Sequence, residues 1–226
     1  MEDRKNARRF ALRVTPSAAV LTVGLLLLAA LRGRVTFPPP AVAGVALAAL
    51  LHEGGHILMA AACGVGLSGL RLDLYGARLG LSGLISYRQE LCVALGGPLA
   101  NLLTVLLLLP LWRSVGCPVY EGGVLPYGAA GFLSVLLPAS AGLCAVNLLP
   151  VATLDGGRIL FCALAQWVGE GVARTAGQVC TAVCAGGLWL LSAYALLRAG
   201  QQLSLFVFSF TLLLRCLQGE PTGGKI

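Results

Sequence analysis

The only two histidines in the chain, His52 and His56, stand four residues apart in the segment ALAALLHEGGHILMAAACG (46–64), and Glu53 follows the first of them. Four residues is just over one helical turn, so on a helix both imidazoles share a face and can reach one metal ion. Glu53 lies one position round, close enough to take a proton from a water held there without being a ligand itself. Zinc suits this donor set and lowers the pKa of a bound water to about 7. Short patterns of this kind also arise by chance, and a histidine in an apolar helix often does no more than make a packing hydrogen bond. Chance is the poorer account here. Each ionisable group at membrane depth costs roughly 2.5 kcal/mol or more, and His52, Glu53 and His56 crowd into one apolar run.

Two histidines do not complete a catalytic zinc site, which normally has three protein ligands and one open position. The eight cysteines (Cys63, Cys92, Cys117, Cys144, Cys162, Cys180, Cys184 and Cys216) are scattered through mostly apolar runs with no CxxC pair. They read as small buried hydrophobes, Cys180 and Cys184 included, although these two share a helical face. Asp155, in VNLLPVATLDGGRIL (146–160), closes an uncharged stretch over 122–154 and precedes Gly156 and Gly157. It reads either as the third ligand or as the N-cap of a helix beginning there. Glu90 and Glu170 are the other carboxylates to weigh, and neither has a ligand-like context.

The elements that must bring these groups together are membrane spans. Of 226 residues 58 % are hydrophobic and 11 % charged, with a mean hydropathy of +0.87. A soluble domain carries about 25 % charged residues, so the chain belongs to the integral membrane class. Uncharged runs predict six transmembrane helices, at 13–31, 40–63, 91–112, 126–149, 175–197 and 199–216, with a shorter apolar piece at 156–169. The basic N-terminus before the first run resembles a secretory signal, but the run is long for one, and it reads as a retained span. With the N-terminus inside, twelve of the 16 Lys and Arg residues fall on inner segments and four on outer ones. That asymmetry puts both termini in the cytoplasm and explains the net charge of +7 as topology rather than as a nucleic-acid surface. A multi-pass cell-membrane protein is the expectation, partnered by the bilayer and by no nucleic acid.

Between the second and third spans, GLSGLRLDLYGARLGLSGLISYRQE (66–90) alternates apolar and polar residues around Gly76 and predicts a membrane-associated β-hairpin. The fold class is thus an all-α polytopic membrane protein with about six helices and this hairpin, in a single domain over 1–226 with no PDZ or CBS domain. The topology also settles Asp155. His56 lies about seven residues from the cytoplasmic end of its span, Asp155 follows the inner end of the fourth, and ALGGPLANLL (94–103) opens the third at comparable depth. Three clusters from three spans meet in one layer.

Gly54 and Gly55 each cost about 1 kcal/mol in a helix relative to alanine, which predicts another backbone packed close to the histidine helix. Gly96 and Gly97 permit the same from the third span. Ordinary small-residue helix packing accounts for both as well. Asn101 and Asn147 are buried amides that read equally as interhelical hydrogen bonds or as substrate-binding residues.

HEGGH, GGPLAN and NLLPVATLDGG, in this order and on these spans, resemble the site-2 protease family of intramembrane zinc metalloproteases, and the resemblance covers nearly the whole chain. It implies that His52, His56 and Asp155 bind Zn2+ and that Glu53 is catalytic, activating the water. It also implies that Asn147 positions substrate near the metal and that the hairpin borders the substrate path. VNLLPVATLDGGRILF, six spans and no inserted PDZ domain look most like the sporulation-type branch, whose best-known member processes a membrane-associated pro-sigma factor. The implied partners are a transmembrane or membrane-associated protein substrate and a membrane regulatory protein. The alternatives are a non-proteolytic regulator that keeps the fold and binds clients, a metal transporter, and a zinc peptidase whose third ligand is Glu90 or Glu170.

Overall fold

The computed structural model describes residues 11–14, 39–73, 76–82, 85–115, 128–199 and, beyond these, 206–207, 209–210 and 213. Five helices and three strands lie within them: β1 (Ala11–Val14), α1 (Pro39–Ala62), β2 (Gly66–Asp73), β3 (Gly76–Ser82), α2 (Tyr87–Ser114), α3 (Gly128–Asn147), α4 (Asp155–Val168) and α5 (Glu170–Ala199). Among the described residues four stretches are long and apolar enough to cross a membrane: Val42–Ala62, Tyr87–Ser114, Gly128–Asn147 and Glu170–Arg198. Large side chains such as Leu50, Leu58, Leu107 and Val183 point outward along them, a surface that is stable against lipid and not against water. The expected span at 199–216 falls almost wholly outside the described residues, as does that at 13–31 except for its first two residues. Those two, Arg13 and Val14, are in strand β1, a correction that hydropathy could not supply because strand pairing is a long-range event.

α1, α2 and α3 pack on one another, α4 lies against α2, and α5 against α4. Ala48 of α1 meets Leu133 and Leu136 of α3 in one core cluster, and Val151 and Leu154 meet Ala185 of α5 in another. α1 begins at a proline run, tolerated because the first turn's N–H groups have no helical partner. It ends where Gly64 turns left-handed, at φ +67°. Val65 N–H then reaches back to Ala60 O at 2.8 Å and Gly64 N–H to Ala61 O at 3.2 Å. These two bonds close a Schellman turn, and Val65 packs with Ala60 and Val93 as the chain leaves for β2.

β2 and β3 pair antiparallel, with Arg71 opposite Arg78 and an irregularity at Leu67/Gly69. β1 adds in parallel to the other side of β2, with Ala11 opposite Gly69, so the order is β1-β2-β3. The sheet therefore has three strands, one more than the alternation over 66–90 predicts.

α2 starts at Tyr87 rather than 91. Ser86 caps it, accepting Gln89 N–H at 3.3 Å, while Gln89 Oε1 accepts Ser86 N–H at 3.0 Å. This capping box stabilises a polar first turn that hydropathy does not count. Gln89 also donates to Cys63 O at 3.1 Å, fastening the start of α2 to the end of α1.

Gly54 and Gly55 prove to do different things. A Cβ on Gly55 would run into Gly96 O and lie 2.7 Å from Ala100 Cβ, and one on Gly96 would lie 2.5 Å from Gly55 O. A Cβ on Gly54 meets nothing within 4 Å. Only Gly55 answers the close backbone approach expected of the pair. Gly54→Ala should therefore stabilise by about 0.5–1 kcal/mol through helix propensity and chain entropy. Gly55→Ala should destabilise by about 1–3 kcal/mol through overpacking. Thermal unfolding of the two variants in detergent micelles checks this, and equal effects would contradict it.

Candidate metal centre

The histidine helix presents both imidazoles inward at the Gly55–Gly96 contact. His52 is 5 % exposed and His56 6 %, and their rings meet edge to face with centroids 4.8 Å apart. Asp155 arrives from the first turn of α4. Its approach depends on the preceding loop, which Ala152 N–H fastens to Thr181 Oγ1 of α5 at 2.9 Å. Gly156 and Gly157 let α4 start in contact with that loop, because a Cβ on either would collide with the carbonyls of Leu148, Leu149 or Val151. The N-cap of α4 is Leu154, with no side-chain cap bond. Asp155 is thus not capping the helix; its carboxylate points at the histidines.

Three donor atoms converge. His52 Nε2 lies 3.1 Å from Asp155 Oδ2, His56 Nε2 lies 3.2 Å from the same oxygen, and the two Nε2 atoms are 3.3 Å apart. In a tetrahedral zinc shell with bonds of about 2.0–2.1 Å, neighbouring donors stand about 3.3–3.4 Å apart. The triangle has the dimensions of one face of that shell. The residues fit a zinc ion on this ground. Gly97 supports the fit: a Cβ there would run into His56 Nε2 and lie 2.7 Å from His52 Cε1, so glycine keeps clear the space beside the two imidazoles.

The far side of each imidazole is also held. His56 Nδ1 lies 2.7 Å from Val93 O, which can only accept, and 3.3 Å from Gly97 N–H; the shorter contact puts the ring proton on Nδ1 and the lone pair on Nε2. His52 Nδ1 faces the amide of Asn101, at 3.2 Å. Such second contacts fix the tautomer and ring orientation of a metal-binding histidine. Glu53 lies within electrostatic reach of His52, His56 and Asp155, and its Oε2 is buried with no hydrogen-bond partner among the described residues. It is the acid with an oxygen to spare.

The rival ligands are engaged elsewhere. Glu90 accepts from Arg158 Nη2 at 3.2 Å and from its Nε at 3.4 Å, a strut between α2 and α4. Glu170 accepts from the Tyr87 hydroxyl and stands 4.0 Å from Arg174. The six described cysteines are free; Cys117 and Cys216 lie outside the described residues. Burial, with the Glu90 carboxylate nearby, pushes the Cys162 thiol up to about 12, so it stays protonated and serves packing. Among the described residues His52, His56 and Asp155 are the one group of three such side chains able to hold an ion.

The two asparagines part company. Asn101 is at the centre, fully buried against His52. Asn147 closes α3 and donates its amide to Leu143 O of the same helix at 3.0 Å. Three contributors carry little signal in sequence. Val93 acts through its backbone carbonyl, which no side chain announces. Gly97 sits in GGPLAN, where small residues read first as packing. Arg158 stands one turn beyond Asp155, and its pairing with Glu90 spans 68 residues.

Residues 114–191 match Peptidase family M50; that segment contains Asn147 and Asp155 but not the histidines. No curated protein matches the sequence. Among solved structures, the site-2 protease from Methanocaldococcus jannaschii is similar in fold, with a TM-score of 0.62 at 20 % identity, covering 95 % of this chain and 92 % of that one. The chain thus shares the fold of that protein.

Removing any one donor should empty the centre. His52→Ala, His56→Ala and Asp155→Ala should each lower the zinc content of detergent-purified protein by about tenfold or more. Glu53→Gln should leave it unchanged. Elemental analysis by mass spectrometry reads both outcomes.

Proposed function

We propose that the chain is an intramembrane zinc endopeptidase of the site-2 protease type, cleaving a transmembrane or membrane-associated protein. The observation that carries this reading is the convergence of His52 Nε2, His56 Nε2 and Asp155 Oδ2, with the unbonded Glu53 Oε2 beside them. The M50 match over 114–191 and the shared fold support it.

When bound by these three residues, zinc supplies Lewis-acid chemistry, acidifying water and polarising a peptide carbonyl. Glu53 takes the proton of the attacking water and delivers it to the leaving amine. His52 and His56, 5 % and 6 % exposed, lie out of bulk water, so the helices around them would shield the reaction from solvent. Asn147, at the end of α3, is the proposed substrate-positioning amide.

A binding protein without catalysis would gain nothing from burying Glu53 beside two histidines, since a carboxylate at this depth is destabilising. A transporter would string ionisable groups along a path, whereas among the described residues one group of three, His52, His56 and Asp155, is able to hold an ion. The NLLPVATLDGGRILF signature favours the sporulation-type branch, and with it a pro-sigma factor or similar membrane-associated regulator as substrate. Co-expression with tagged, membrane-tethered candidates tests the reading. Glu53→Gln and Asp155→Asn should each reduce cleavage by about a hundredfold or more. Cleavage by Glu53→Gln at the wild-type rate would contradict a peptidase.

A substrate helix hides its peptide bonds in its own hydrogen bonds, so the scissile segment must be extended first. Strand addition to the sheet would hold it there. β2 is paired on both sides, so among the described strands β1 and β3 are the edge strands; β3, which belongs to the 66–90 hairpin, is the proposed one. A proline scan over 77–81 should lower cleavage at positions whose N–H faces away from β2 and leave zinc content intact. Uniform retention of cleavage would overturn this docking mode.

A further inference from the structure

We infer that Asn101 is a positioning residue for the metal centre, its side-chain carbonyl accepting the Nδ1–H of His52 so that the Nε2 lone pair stays turned to the ion. The inference rests on the zinc reading above and adds to it a role that the ligand set alone does not require.

A neutral imidazole carries one ring proton. His52 Nε2 belongs to the donor triangle and must present a lone pair there, so the proton must sit on Nδ1 and needs an acceptor. Asn101 is the side chain at that nitrogen, with Nδ2 at 3.2 Å. A half-turn about the Cβ–Cγ bond exchanges the nitrogen and oxygen of an amide at nearly unchanged positions, and the hydrogen-bond network decides between them. With nitrogen inward, the ring proton is driven onto Nε2, where it competes with the ion. With oxygen inward, the proton is held on Nδ1. Oδ1 has no other partner to lose by turning, since it is buried without a hydrogen bond among the described residues.

The arrangement at His56 is the same in kind. Its Nδ1–H is taken by Val93 O at 2.7 Å, so α2 supplies the acceptor for both histidines. The two acceptors flank the Gly55–Gly96 contact, Val93 on the His56 side and Asn101 on the His52 side. Asn101 is 0 % exposed, so it reaches a substrate only through His52.

The test uses the full-length chain in detergent, with zinc affinity read by competition with a chromophoric chelator. Asn101→Leu, similar in size and unable to accept, should weaken zinc binding about 10–100-fold. Asn101→Asp, which accepts the same Nδ1–H, should restore most of it. Wild-type affinity in Asn101→Leu, or an effect confined to KM for a cleaved substrate, would overturn the inference. The chain has only two histidines, so [15N]histidine NMR of the zinc-loaded wild type gives an independent reading, even where Asn101→Leu does not fold. Both rings should be Nδ1-protonated; a His52 ring protonated on Nε2 would overturn the role. A wild type that binds no zinc would remove the zinc reading itself, and the inference with it.

Discussion

The backbones of α1 and α2 touch at Gly55 and Gly96, and the chemistry of the centre is arranged around that contact. At ordinary helix separations a histidine on α1 meets side chains of its neighbour. Here His56 reaches a main-chain carbonyl, Val93 O at 2.7 Å, and His52 reaches the short amide of Asn101. The same closeness explains why Gly97 cannot carry a side chain, since a Cβ there would run into the His52 and His56 rings. Two small residues thus set a distance, and the distance sets which groups can hold the imidazoles from behind.

Burying two histidines, a glutamate and an aspartate together is unfavourable unless their charges are compensated. On the proposed reading, a divalent ion held by the three donors would offset the carboxylate of Asp155 and give both Nε2 lone pairs a partner. What remains uncompensated is Glu53, whose Oε2 has no hydrogen bond among the described residues. In the proposed reaction, that oxygen is the one that takes up the proton. Asp155 is held from the opposite direction by the loop before α4, fastened to Thr181, and by the Glu90–Arg158 strut. Histidines and aspartate thus come from separately braced elements.

How much of this could be read from the sequence depends on the range of each interaction. The pairing of His52 with His56 is local, fixed by helical periodicity, and was legible. Asp155 lies 103 residues from His52, yet was legible because counting charges along the loops put both at one depth. The difference between Gly54 and Gly55 was not, since it depends on which side of α1 faces α2. Strand β1 was not legible either: Arg13 and Val14 read as the start of an apolar run, and their pairing with β2 needs a partner far along the chain. The first turn of α2 escaped hydropathy because its capping box is polar. Asn101 was visible as a buried amide, but its partner was visible only in three dimensions.

X-ray absorption at the zinc edge of the purified, zinc-loaded protein addresses the centre most directly. Two imidazoles and one carboxylate predict a first shell of nitrogen and oxygen alone at about 2.0–2.1 Å, with the outer-ring scattering of two histidines. A sulfur scatterer at about 2.3 Å, or a shell with no imidazole signature, would contradict a centre built from His52, His56 and Asp155.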